Sequence, residues 1–179
     1  KKYLTAKQAF ALGVKSQEDN NLQGAQNYYQ RVLEIDPNHA LAHNNLGVIF
    51  TTLGENPKAR SCYEKAIEID HNYAQAHNNL GTIFRTLGEI QKSISCYEKA
   101  IEIDPKHLEA YNNLGKLYLT LEETQKSINC FEKILKINPN HIDANKSLEF
   151  IRDKQKILSE IEKSKNLKKE NKISFIKKI

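Results

Sequence analysis

The chain has 179 residues, 39% hydrophobic and 27% charged, which is enough for about one domain with a core. No run approaches the roughly 18 consecutive apolar residues of a membrane span, and no apolar stretch of signal-peptide type follows Lys1-Lys2. The formal charge of +5 is uneven: residues 150–179 hold 10 Lys and Arg against 4 Asp and Glu, whereas 1–149 hold 17 against 18.

Met is absent, so a fragment or a processed form is expected. Only four basic residues are Arg (Arg31, Arg60, Arg85 and Arg152), which argues against a dedicated nucleic-acid reader, since base and phosphate recognition leans on guanidinium forks. The three cysteines, Cys62, Cys96 and Cys130, form no CxxC pair and no disulfide framework, which leads us to expect an intracellular, cytoplasmic setting. They are spaced 34 and 34 apart.

That interval governs the whole chain. CYEKAIEID occupies 62–70 and again 96–104, AHNNLG occupies 42–47 and 76–81, and TLGE occupies 52–55 and 86–89. The register divides the chain into four copies, 6–39, 40–73, 74–107 and 108–141. Each copy reads as two helices. In the third, Ala76, Leu80, Ile83, Phe84 and Leu87 share one helical face. Gly88 breaks the run, and a second helix follows with Ile90, Ile94, Tyr97, Ala100, Ile101 and Ile103 on its apolar side. Pro37, Pro105 and Pro139 close their copies; His71 stands in the second, which must stop by other means. Pro57 falls where a second helix begins, a position that tolerates it.

Gly13, Gly47, Gly81 and Gly115 recur inside first helices, where glycine costs about 1 kcal/mol against Ala. The repetition implies a close approach, and Ala25, Ala59, Ser93 and Ser127 are the expected small partners. A single helical pair cannot bury both of its faces, so copies must stack. The expected fold is all-α, an α-solenoid of four 34-residue helix–turn–helix repeats. Residues 142–165, with Leu148, Ile151, Leu158 and Ile161 at helical spacing, are expected to form a capping helix. Residues 166–179 are expected to be a basic tail, disordered or, through Ile173, Phe175, Ile176 and Ile179, amphipathic.

With those residues in place, the sequence resembles tetratricopeptide repeat proteins. The match is carried by Leu46, Gly47, Phe50, Ala59, Tyr63 and Ala66; by Leu80, Gly81, Phe84, Tyr97, Ala100 and Pro105; and by Leu114, Gly115, Tyr118, Phe131 and Pro139. It departs at Ser16, where the family has an aromatic residue, at Val32 and Ile134, where it has Ala, and at Glu122, where a left-handed turn residue is expected.

No catalytic constellation is found. His39 and His43 lack a third metal ligand of fixed spacing, there is no HExxH or phosphate loop, and the Asp and Glu residues follow the repeat instead of converging. The cysteines occupy one second-helix site, about 10 Å apart by helix-packing distance, too far for a disulfide. A non-catalytic chain without metal, cofactor or small-molecule substrate is expected.

The remaining signal is the doublet Asn44-Asn45, Asn78-Asn79 and Asn112-Asn113. The resemblance implies that first helices line a concave groove, so these six, with Val48, Thr82, Arg85 and Lys116, are the candidate groove residues. A carboxamide both donates and accepts, which suits the backbone of an extended segment of a partner protein. The row Asn45, Asn79, Asn113 is similar to the asparagine ladder in the repeat domain of O-GlcNAc transferase. The carboxylate-clamp subtype is excluded, because its places hold Phe10, Val14, Asn45, Gln75 and Asn79 and only Asn45 fits. Three rival readings remain: an architectural subunit that uses its convex face or end-to-end oligomerisation, a docking arm of a longer enzyme, and an RNA binder of pentatricopeptide type, which the near-neutral body disfavours.

Overall fold

The computed structural model describes residues 4–176, with side chains to Asn166. The described residues form helices α1 (Ala6–Glu18), α2 (Leu22–Ile35), α3 (Ala40–Thr52), α4 (Asn56–Ile69), α5 (Ala74–Thr86), α6 (Ile90–Ile103), α7 (Leu108–Thr120), α8 (Thr124–Ile137) and α9 (Ile142–Ile176). From α1 to α8 the first helices and the second helices each recur at the sequence interval, giving an all-α solenoid. The chain divides into two compact units, Lys1–Leu114 and Gly115–Ile179, with the division inside α7.

The turn within each hairpin rests on one residue with positive φ: Asn20, Gly54, Gly88 and Glu122. In the second copy, Gly54 N–H donates to Thr51 O and Glu55 N–H to Phe50 O. That pair of bonds ends a helix only when the first of the two donors is left-handed, as Gly54 is. The same pair recurs at Gly88 and Glu89, at Asn20 and Asn21, and at Glu122 and Glu123.

The turn between hairpins depends on Asp rather than on proline. Asp36, Asp70 and Asp104 each accept the backbone N–H two residues on, and Asn138 does the same. These side chains offer the backbone an alternative to the helix, which is how the second copy stops without a proline. His71 also caps Ile67 O through Nδ1, at 2.8 Å.

In the first unit the core runs through successive hairpins. Ala25, Tyr29, Leu46, Ile49, Phe50, Ala59, Tyr63, Leu80, Ile83 and Phe84 form one buried cluster. The mid-helix glycines are explained by aromatic rings: a Cβ on Gly47 would lie 2.6 Å from Tyr63, and one on Gly81 would lie 2.8 Å from Tyr97. This corrects the expected partners. The small residues touch the glycine differently, through Ser93 Oγ–H donating to Gly81 O at 2.8 Å, while Ala25 and Ala59 have no hydroxyl to do so.

In the second unit Gly115 faces Phe131 and Cys130, and Ser127 Oγ–H donates to Gly115 O. Helix α9 packs on α8 through buried Ala144, Leu148 and Ile151. From Arg152 to Asn166 every residue is exposed, Leu158 and Ile161 included, so the covering face ends earlier than expected. Length accounts for this: α8 has 14 residues and α9 has 35, so α9 outlasts the helix it lies against. No Gly or Pro interrupts it, and it continues to Ile176, past the expected boundary at 165. The tail side chains Ile173, Phe175, Ile176 and Ile179 lie outside those described.

Candidate functional site on the first-helix face

The two members of each asparagine doublet have different roles. Asn44 and Asn78 are buried, at 4% and 0% exposure. Asn44 Oδ1 accepts from Asn79 Nδ2 and Asn78 Oδ1 from Asn113 Nδ2, both at 3.0 Å. The first member of one copy is thus bonded to the second member of the next, an inter-helix brace in which a missing partner would leave a buried acceptor unsatisfied. Asn78 Nδ2 and Asn112 Oδ1 are buried without a partner among the described residues. The first members are therefore buried at Asn44 and Asn78 and half-buried at Asn112, while the second members form one half-buried row, so the doublet does not give two rows facing a ligand.

The half-buried row is Asn45, Asn79 and Asn113. Asn45 Nδ2 donates to Tyr29 OH at 3.2 Å, and the Tyr29 hydroxyl donates to Gln17 Oε1 at 2.9 Å. Asn79 Oδ1 accepts from Gln75 Nε2, which also reaches Glu109 Oε2. Val48 is half-buried against the core cluster. Thr82 Oγ is committed to Asn78 O and Tyr97 OH, and Thr51 Oγ to Gly47 O and Tyr63 OH. Arg85 is exposed; Lys116, also exposed, belongs to the second unit.

The tyrosines of the second helices serve as polar floor posts beneath this face. Burial pushes the Tyr63 phenol up to about 12, although its hydrogen bond to Thr51 opposes the shift. Tyr29 is raised by burial, opposed by Asn45 and reinforced by the charge of Glu18. Burial likewise pushes the Cys62 and Cys96 thiols up to about 11, so neither is an activated nucleophile. Among the described residues no group of three His, Cys, Asp or Glu could hold a metal ion, and no helix is long and apolar enough to cross a membrane.

The boundary histidines turn out to be helix caps. His39, His107 and His141 each accept through Nδ1 the backbone N–H three residues on, at 3.2 Å. Imidazole is outside the usual capping set of Ser, Thr, Asp and Asn, so only their recurrence at copy ends, one residue before the next helix, could have signalled the role.

Tetratricopeptide repeat models match residues 10–39, 40–106 and 72–140. The chain belongs to the tetratricopeptide repeat family. Its fold is that of a protein–protein interaction module. Among solved structures it is similar to a MamA crystal structure at 28% identity and TM-score 0.71, covering 80% of this chain and 84% of that one. A second MamA structure gives 26% identity and TM-score 0.73, with 87% and 85% covered. PilF of Pseudomonas aeruginosa gives 25% identity and TM-score 0.78, with 84% and 69% covered. No curated protein matches the sequence.

Proposed function

We propose that the chain binds an extended segment of another protein along the first-helix face, holding the segment's backbone with Asn45, Asn79 and Asn113. The observation that carries this reading is the row itself: one half-buried carboxamide in each of the second, third and fourth copies, in one register, each fixed by an internal bond from one N–H. An amide nitrogen has two hydrogens, so each keeps a second donor. A donor held in place beforehand loses less freedom when it binds. Because backbone is gripped rather than side chains, the grip tolerates many sequences. Val48, Thr82 and Arg85 would shape and charge the same face. The role is non-catalytic.

The buried brace complicates the obvious test. Changing Asn45, Asn79 and Asn113 to Ala also leaves the Asn44 and Asn78 acceptors unmet, at about 1–3 kcal/mol each. The matched control is Asn44→Ala with Asn78→Ala, which breaks the same inter-copy bonds but retains the half-buried row. Both variants and the parent chain would be titrated with an array of randomised 12-residue peptides, at a temperature where circular dichroism shows all three folded. Binding should fall most in the triple variant and less in the double, which keeps the donors of the row but loses the bonds that fix Asn79 and Asn113. Equal binding by the triple variant and the parent, or equal loss in both variants, would rule out the ladder.

A further inference from the structure

Val14, Gln17, Glu18, Tyr29 and Asn45 enclose an open cavity of about 420 Å³ between α1, α2 and α3. Asn45, the first member of the half-buried row, forms part of its wall. The floor is polar and ordered: Asn45 donates to the buried Tyr29 hydroxyl, whose own proton goes to Gln17 Oε1. A carbonyl oxygen accepts two hydrogen bonds, so Gln17 Oε1 retains one site. Val14 supplies an apolar wall. Glu18 stands at the rim, exposed, and takes part in no salt bridge among those of the described residues. Its charge reaches the floor, where it adds to the effect of burial in raising the Tyr29 phenol.

The carboxylate is particular to the first copy. The places of Glu18 in the next two copies hold Thr52 and Thr86, whose hydroxyls turn back to carbonyls of their own helices at 3.0 Å. Those copies therefore offer no charge at this point, and the cavity breaks the equivalence of the rungs.

We propose that this cavity is a side-chain subsite that takes one basic residue, lysine or arginine, of the bound segment. The inference rests on the peptide-binding reading above and adds selectivity to it. The methylene stem lies along Val14, and the cationic head meets the Glu18 carboxylate and the open site on Gln17 Oε1. An acidic side chain meets like charge, and an apolar one strips water from Glu18 and Gln17 without replacing it.

The same array of randomised 12-residue peptides, acetylated and amidated, tests the proposal on the full chain, with Glu18→Gln and Glu18→Lys as variants. Glu18 is exposed, and circular dichroism would verify that both variants fold. The parent chain should select Lys or Arg at one peptide position, and replacing that residue by norleucine should weaken binding by up to about fivefold, the upper end for an exposed ion pair. Glu18→Gln should abolish the preference while other peptides still bind, and Glu18→Lys should turn it towards Asp and Glu. Peptide capture that depends on the asparagine row yet shows no basic preference, or a preference that survives Glu18→Gln, overturns the subsite alone. Capture of no peptide by the parent chain overturns the subsite and the groove together.

Discussion

Glu122 adopts φ +61° at the turn position where the second and third copies place Gly54 and Gly88. A left-handed residue with a Cβ is strained by about 1–2 kcal/mol, whereas glycine there costs only the extra freedom of its unfolded chain. Asn20, the other non-glycine at φ +56°, is of a type that tolerates this region. Glu122→Gly should therefore stabilise the second unit by about 0.5–1 kcal/mol, seen as a higher denaturant midpoint with an unchanged slope. An unchanged or lower midpoint would show that the turn's two backbone bonds already offset the strain. The strain at this residue was legible from register alone. The ring that faces each mid-helix glycine was not, because the crossing of two helices decides which neighbour comes closest: in copy two that is Tyr63, which would lie 2.6 Å from a Cβ placed on Gly47, rather than Ala59.

At the level of the helix, the starts of α3, α5 and α9 are tied down by side chains that differ between copies. His43 Nε2 contacts Pro37 O at 3.0 Å, His77 Nε2 contacts His71 O at 3.1 Å, and Asn145 Nδ2 donates to Pro139 O at the same register in α9. For His77 this arrangement is sensitive to pH. Burial, with the charges of Lys99 and His71, holds its pKa below the usual 6.5, against the bond to His71 O and the charge of Asp70. In the window between 6.5 and the lowered value the unfolded chain binds a proton that the folded chain refuses, so stability is full above 6.5 and declines as pH falls through the window. His77→Asn, which copies the residue α9 already uses, should lessen the fall in urea midpoint between neutral and mildly acidic pH. An unaltered slope would assign the acid sensitivity to other groups. His43 and His77 stand 34 residues apart, as the repeat requires, but the sequence could not show them bonded to carbonyls six residues back, because that contact depends on how the inter-hairpin turn folds.

For the whole molecule, the repeat made the fold class readable, since a pattern that cannot bury its faces in isolation has few other solutions. The site was readable only in part. The recurrence of Asn44-Asn45 and Asn78-Asn79 singled out the helices of the candidate face, but one member of each pair braces neighbouring copies, and the brace joins residues 35 apart in sequence that only packing brings together. Charge is partitioned just as unevenly. Of 27 basic and 22 acidic residues, 8 and 3 lie beyond Gln155, which leaves 19 of each in the rest of the chain. The described side chains of that segment, as far as Asn166, are exposed and free to meet a polyanion. Attraction of this kind weakens steeply with salt and follows local cation density more than net charge. The intact chain should therefore be retained on immobilised heparin at low salt and released as salt rises, while a chain ending at Gln155, which keeps Ala144, Leu148 and Ile151 buried against α8, should pass through. Retention of the shorter chain would instead place anion binding on the repeats, where Arg85 is exposed on the first-helix face, and would bring the nucleic-acid reading back into contention.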